Sequence, residues 1–199
     1  SGKGPHINCE ISCPTMPWEI DIVSQQSAFT VNTDLLQTAV STVLRQEKLV
    51  SAIVSISIVD NQTIHRINRQ YLQHDYPTDV ISFQLGFDES ELPPDDQEDP
   101  LDDEPLPEPS KNDSDQLPAA GAAIEGEIIA SAEMAAQMAL AGNWSADAEL
   151  ALYVVHGLLH LCGYDDLTPA DRSVMKSREI LALNTLGFHP VYSEDQPDA

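Results

Sequence analysis

The chain has 199 residues, the size of one domain or of one with a small appendage. Its 33 Asp and Glu stand against 9 Lys and Arg, a formal net charge of -24, which excludes a general nucleic-acid binder that works by long-range attraction. Hydrophobic residues make up 42%, enough for a core, and the lack of any apolar run of about 18 residues excludes a membrane span. In chain order, residues 34–47 place Leu35, Leu36, Ala39, Val40, Val43 and Leu44 at spacings of three and four, which predicts an amphipathic helix. Residues 52–59 are rich in β-branched side chains and predict a strand. Asp60 caps a second helix with Ile64, Ile67 and Tyr71 on one face, and Pro77 follows its end. Residues 80–83 predict a second strand.

Next comes the acid. Residues 88–116 hold thirteen Asp or Glu, one Lys and six prolines, so like charges repel and little can be buried. The stretch reads as a solvated, disordered insertion or as an acidic arm that mimics nucleic acid or docks on a basic partner. Removing residues 88–119 is expected to leave folding intact. Residues 124–131 predict a third strand, with Glu125 and Glu127 alternating against apolar neighbours. Residues 132–141 are strong helix formers, closed by Gly142 and Asn143. Ser145 caps a helix whose run over 148–162 is apolar on nearly every side, which places it in the middle of the molecule. Gly163 ends it. Thr168, Pro169 and Asp171 begin a last helix through Met175, Ile180 and Leu183, which stops before Gly187. The tail beyond Tyr192 is acidic and expected to fray. Strands mixed with helices predict an α+β class built on a small mixed sheet, one domain over 1–199 interrupted by an insertion at about 88–121.

The chemistry concentrates on the apolar helix. His156 and His160 are four apart and share a helix face. Two buried imidazoles need partners, and backbone groups and carboxylates are one answer. A metal ion is the other: Gly163 lets the chain turn back, and Asp166 supplies a third ligand in a His-x3-His-x5-Asp spacing. Three protein ligands with an open position are the plan of a catalytic zinc site; nickel or cobalt suits the same donors. Cys162 points off that face and belongs to the core. The zinc-peptidase pattern needs Glu directly after its first histidine, and Gly157 stands there, which argues against proteolysis. Three cysteines, Cys9, Cys13 and Cys162, form no disulfide framework, and no apolar segment follows the N-terminal residues; both point to a reducing, cytoplasmic setting.

The stretch His156 to Asp166, HGLLHLCGYDD, resembles the signature of the YbeY family of rRNA maturation factors. Two further landmarks run in the family's order: Thr78-Asp79-Val80-Ile81-Ser82-Phe83 after Asn68, and Gly126-Glu127-Ile128 leading to Ser131. The resemblance covers about 20–187, interrupted by the acidic stretch. It implies a compact α+β domain and one Zn2+ per chain on His156, His160 and Asp166. It implies a metal-dependent endoribonuclease that cleaves single-stranded RNA, with roles in maturing the small-subunit rRNA 3′ end and in ribosome quality control. Asp79 and Ser82 sit where that family lines its cleft, and Asp165 is a loop-fixing or proton-accepting neighbour. The nucleophile is a hydroxide or the RNA 2′-hydroxyl. The implied partners are rRNA, the small ribosomal subunit and a basic ribosomal protein met by the acidic stretch. Two departures stand out. Asp166 replaces the family's third histidine, which makes the ion a weaker Lewis acid. Leu72 follows Tyr71 where the family has arginine, so phosphate binding falls to Arg66, Arg69, Arg172 and Lys176. Those departures motivate a second reading, a metal-bound ribosome-assembly factor with weak or no catalysis.

Overall fold

The computed structural model describes residues 18–85 and 122–190. The insertion at about 88–121 and the tail past Tyr192 lie outside the described residues, as do Cys9 and Cys13. The elements run β1 (Trp18–Ser24), α1 (Thr33–Gln46), β2 (Ser51–Val59), α2 (Asn61–Tyr71), β3 (Val80–Gln84), β4 (Ala123–Ser131), α3 (Ala132–Gly142), α4 (Ala146–Leu161) and α5 (Pro169–Thr185). One four-stranded sheet has the order β1-β2-β4-β3. β1, β2 and β4 are parallel neighbours, and β3 lies antiparallel to β4, so the sheet is mixed as expected.

One element corrects the sequence reading: the three expected strands are β2, β3 and β4, and β1 precedes them unpredicted. Glu19 and Asp21 alternate with Trp18, Ile20 and Ile22, a period-two pattern on an edge strand. Acids are poor strand formers, and the partner that decides the conformation is β2, with Trp18 opposite Ala52 in a parallel register. The Trp18 indole N–H adds a hydrogen bond to the Leu49 carbonyl at 3.3 Å.

The helices divide over the two faces. On one face α4 packs against β3 and β4 and is surrounded by α1, α3 and α5. Leu150, Val154, Leu158 and Leu159 are excluded from solvent there. Close approach depends on Gly157: a Cβ at that position would stand 3.1 Å from methyls of both Ile128 and Val80. The position of a peptidase's general base is thus turned into the sheet, where a side chain would crowd two methyls. On the other face α2 covers a smaller cluster of Val59, Ile64, Ile81 and Ile129. No described helix is long and apolar enough to cross a membrane.

Candidate metal centre and cleft

α4 begins at Ser145, whose side chain accepts from the Ala148 N–H, and ends at Cys162. Gly163 takes a φ of 83°, which a side chain would resist, and the chain reverses toward the histidines. In that loop the Asp165 carboxylate accepts the Asp166 N–H at 2.7 Å. Thr168 and Asp171 then close a capping box that launches α5 back along α4.

This path brings His156, His160 and Asp166 together, with their candidate ligand atoms within 4.8 Å of one another. The two Nε2 atoms face each other at 3.0 Å. Each ring is anchored by its other nitrogen: His156 Nδ1 meets Glu179 Oε1 at 2.7 Å, and His160 Nδ1 meets the Tyr164 carbonyl at 2.9 Å. An acceptor opposite Nδ1 holds the proton there, so each Nε2 presents a lone pair to the same point. Two lone pairs that close repel unless a cation lies between them. Two imidazole nitrogens on one tetrahedral ion stand about 3.3 Å apart, close to the distance found. The Asp166 carboxylate lies 3.9 Å from His156 Nε2 and remains partly open to solvent. The donor set therefore fits a metal ion.

Electrostatics separate the two rings. Burial opposes charge on His156, but the hydrogen bond and charge of Glu179, helped by Asp79 and Asp166, outweigh it and raise the pKa. For His160, burial and the neighbouring His156 lower it, against the pull of Asp166. Cys162 is no alternative ligand: it is buried and free, and burial together with Glu47 pushes its thiol up to about 12.

Two cavities meet at this cluster. A polar groove runs along β3 and is lined by Asp79, Ser82, Leu72, His156 and His160. A more apolar cavity extends between α3, α4 and α5, with Arg172 and Lys176 among its lining residues. Asp79 lines both, and its Oδ1 accepts from the Thr78 hydroxyl and the Val80 N–H, each at 2.9 Å. Asp165 lines neither and fixes the Asp166 backbone instead. Arg66 and Arg69 sit on α2 and line a separate depression with His65. Leu72 is in the groove, at the C-terminal cap of α2.

Two anchors go beyond the sequence reading: Glu179 was not singled out there, and Asn68 stood only as part of a landmark, without its contact. Glu179, on α5, is 4% exposed. An acid one turn from Met175 and one turn before Leu183 on a buried helix face was the available signal. Asn68 is 1% exposed; its side-chain amide donates to the Tyr76 carbonyl at 2.8 Å and closes the loop that delivers Thr78 and Asp79.

A small mixed sheet carrying three potential ligands at a cleft is an arrangement that suits a metal-dependent enzyme. The particular family follows from comparison: the family model described as Endoribonuclease YbeY matches residues 21–187, and the chain belongs to that family. It is 37% identical over 172 residues to Endoribonuclease YbeY of Rhodopirellula baltica, covering 85% of this chain and 72% of that protein. The same-named protein of Salinibacter ruber is 36% identical, with 67% and 69% covered. That of Desulfitobacterium hafniense is 33% identical, with 86% and 95% covered. The solution structure of TM1509 from Thermotoga maritima aligns with a TM-score of 0.49 at 20% identity, over 84% of this chain and 88% of that one.

Proposed function

We propose that this chain is a zinc-dependent endoribonuclease that hydrolyses phosphodiester bonds of single-stranded RNA in the cytoplasm. Its proposed place is the maturation of the small-subunit rRNA 3′ end and ribosome quality control. The observation that carries the reading is the convergence of two Nε2 lone pairs and the Asp166 carboxylate at the meeting point of two cavities, in a member of this nuclease family. His156, His160 and Asp166 would hold the ion, two imidazoles and one carboxylate being a known catalytic zinc set. When bound, the ion supplies Lewis acidity toward a phosphate oxygen and lowers the pKa of a water.

The chain's own residues do the rest. Glu179 and the Tyr164 carbonyl hold both imidazoles by Nδ1, so neither ring must rotate before ligation at Nε2. Asp79, held by two hydrogen bonds, orients the attacking water. Ser82 positions the strand in the groove, and Asp165 keeps Asp166 turned inward. Arg172 and Lys176 take the phosphates beside the cluster, while Arg66 and Arg69 serve a more distant stretch of the strand. With few cations on a chain of net charge -24, the affinity has a shallow salt dependence. A basic ribosomal protein that meets the acidic insertion would bring the chain to the small subunit.

Leu72 in the groove favours a second reading, a metal-bound assembly factor with weak catalysis, because an aliphatic side chain cannot hold phosphate. Both readings meet one experiment. Metal content of chain purified without chelator should be about one zinc per chain and fall away in His160→Ala. Metal-dependent cleavage of single-stranded RNA, abolished in His156→Ala, supports the enzyme. Stoichiometric zinc without cleavage supports the assembly factor, and no metal in either protein sinks both.

A further inference from the structure

The apolar cavity beside the cluster has a volume of about 490 Å3, within the range of small-ligand sites. It shares His156 and Asp166 with the cluster and runs away from it along α4. Its walls include Met134, Met138, Met175 and the ring of Tyr153. Such walls suit a flat aromatic guest, because thioethers adapt in shape and are polarisable. Three of the chain's four methionines line this cavity.

One lining residue has no place in an apolar wall. Glu149 is 8% exposed. Its Oε2 accepts the indole N–H of Trp144. A carboxylate offers about four lone-pair positions; the indole fills one and the Tyr153 hydroxyl engages a second, which leaves two for a guest. Glutamine would satisfy Trp144 equally and avoid the desolvation of an acid, so Trp144 alone does not account for Glu149. A buried acceptor in a flat apolar slot reads hydrogen-bond donors on the guest. Among the bases, guanine presents two adjacent donors, N1–H and the N2 amino group, a fork that matches a carboxylate. Cytosine and adenine set one amino donor beside a ring acceptor, and uracil flanks its N–H with two carbonyls, all of which a carboxylate repels. Arg172 and Lys176, at the same cavity, supply the charge that flanking phosphates need.

We propose that this cavity receives a guanine base of the nucleotide next to the scissile phosphate, with Glu149 accepting from its N1–H and N2 amino group. The position next to the scissile bond rests on the nuclease reading above; the base pocket itself does not. In single-stranded RNA recognition, bases are read in this way on their Watson–Crick edges.

The test is direct binding followed by cleavage. Methyl-labelled methionine resonances are recorded during titration of zinc-loaded chain with guanosine 5′-monophosphate, and with the adenosine, cytidine and uridine monophosphates. The guanosine nucleotide should shift Met134, Met138 and Met175 saturably, with an affinity about tenfold or more above the other three. Glu149→Gln keeps an acceptor for Trp144 and should weaken guanosine monophosphate by about tenfold or more. Met138 is 48% exposed, so Met138→Trp blocks the cavity without touching the core and should abolish the shifts at Met134 and Met175. Absence of methyl shifts, or equal response to all four nucleotides, overturns the proposal. Cleavage of strands with and without a single guanine separates the two readings. Cleavage indifferent to guanine and without methyl shifts removes the pocket and leaves the nuclease. Selective methyl shifts without cleavage do the reverse.

Discussion

On one face of the sheet, α4 is packed by β3, β4, α1, α3 and α5, and its inward side chains see no solvent. On the other, α2 covers four buried residues, and its Arg66 and Arg69 stand in water. Both helices carry polar residues implicated in function, but of different kinds. Metal ligation requires atoms held to fractions of an ångström, and the two histidines proposed for it sit on the helix with the most neighbours. Of the four cations proposed to follow an RNA backbone, Arg66 and Arg69 sit on the thinly packed one, where reach matters more than precision. The depth of packing on each face thus matches the geometric tolerance of the chemistry it carries.

The largest expected effect breaks the deep face. Leu158 is fully buried on α4, and Leu158→Ala should cost about 2–5 kcal/mol. Ile67 is half-buried on α2, and Ile67→Ala should cost less than about 2 kcal/mol, since water already reaches part of it. Urea unfolding of both variants checks this. Equal losses would mean that the two faces are equally cooperative and that the contrast is one of appearance only.

Much of that contrast was legible in the sequence. The run around His156 and His160 is apolar on all sides, which marked α4 as central, and the spacing to Asp166 across Gly163 marked the cluster. These signals are local: a helical period, a glycine stop, a loop too short to wander. What stayed hidden depends on partners far along the chain. Glu179 reaches His156 across 23 residues, and nothing near Glu179 names the imidazole it meets. β1 has a period-two pattern weakened by two acids, and it is the parallel pairing to β2 that fixes it. Glu149 reads in the sequence as an acid in the first helical turn, which concealed its place in a cavity wall.

A smaller effect sharpens the comparison at the site. Glu179→Gln keeps the volume and an acceptor but removes the charge that steadies His156. Loss of such a partner typically lowers metal affinity about 10–100-fold. Competition for zinc against a chromophoric chelator should show that loss, with unfolding little changed. Gln70→Ala, exposed on α2, should leave zinc affinity as it was. If Gln70→Ala weakened zinc as much as Glu179→Gln, the two faces would be coupled through the sheet, and the division of labour argued above would fail.

The smallest effect lies at the start of α2. Asp60 accepts the Thr63 N–H at 2.7 Å, and hydrogen bonds from the Thr63 side chain and backbone, together with Arg66, hold its carboxyl below the usual value of 3.8 despite slight desolvation. A carboxyl lowered on folding adds stability that is complete above the unfolded pKa and disappears as the pH falls through the folded one. Asp60→Ala should therefore cost about 1 kcal/mol near neutrality, the ordinary worth of a helix cap. The gap between wild type and variant should stay constant down to about pH 4 and close below it. Thermal unfolding across that range measures the gap. A gap that widened on acidification would mean that the neutral acid caps better than its anion, whereas no gap at any pH would mean that α2 owes its N-terminus to the Asn61 N–H bond with Glu133 at 2.8 Å rather than to Asp60.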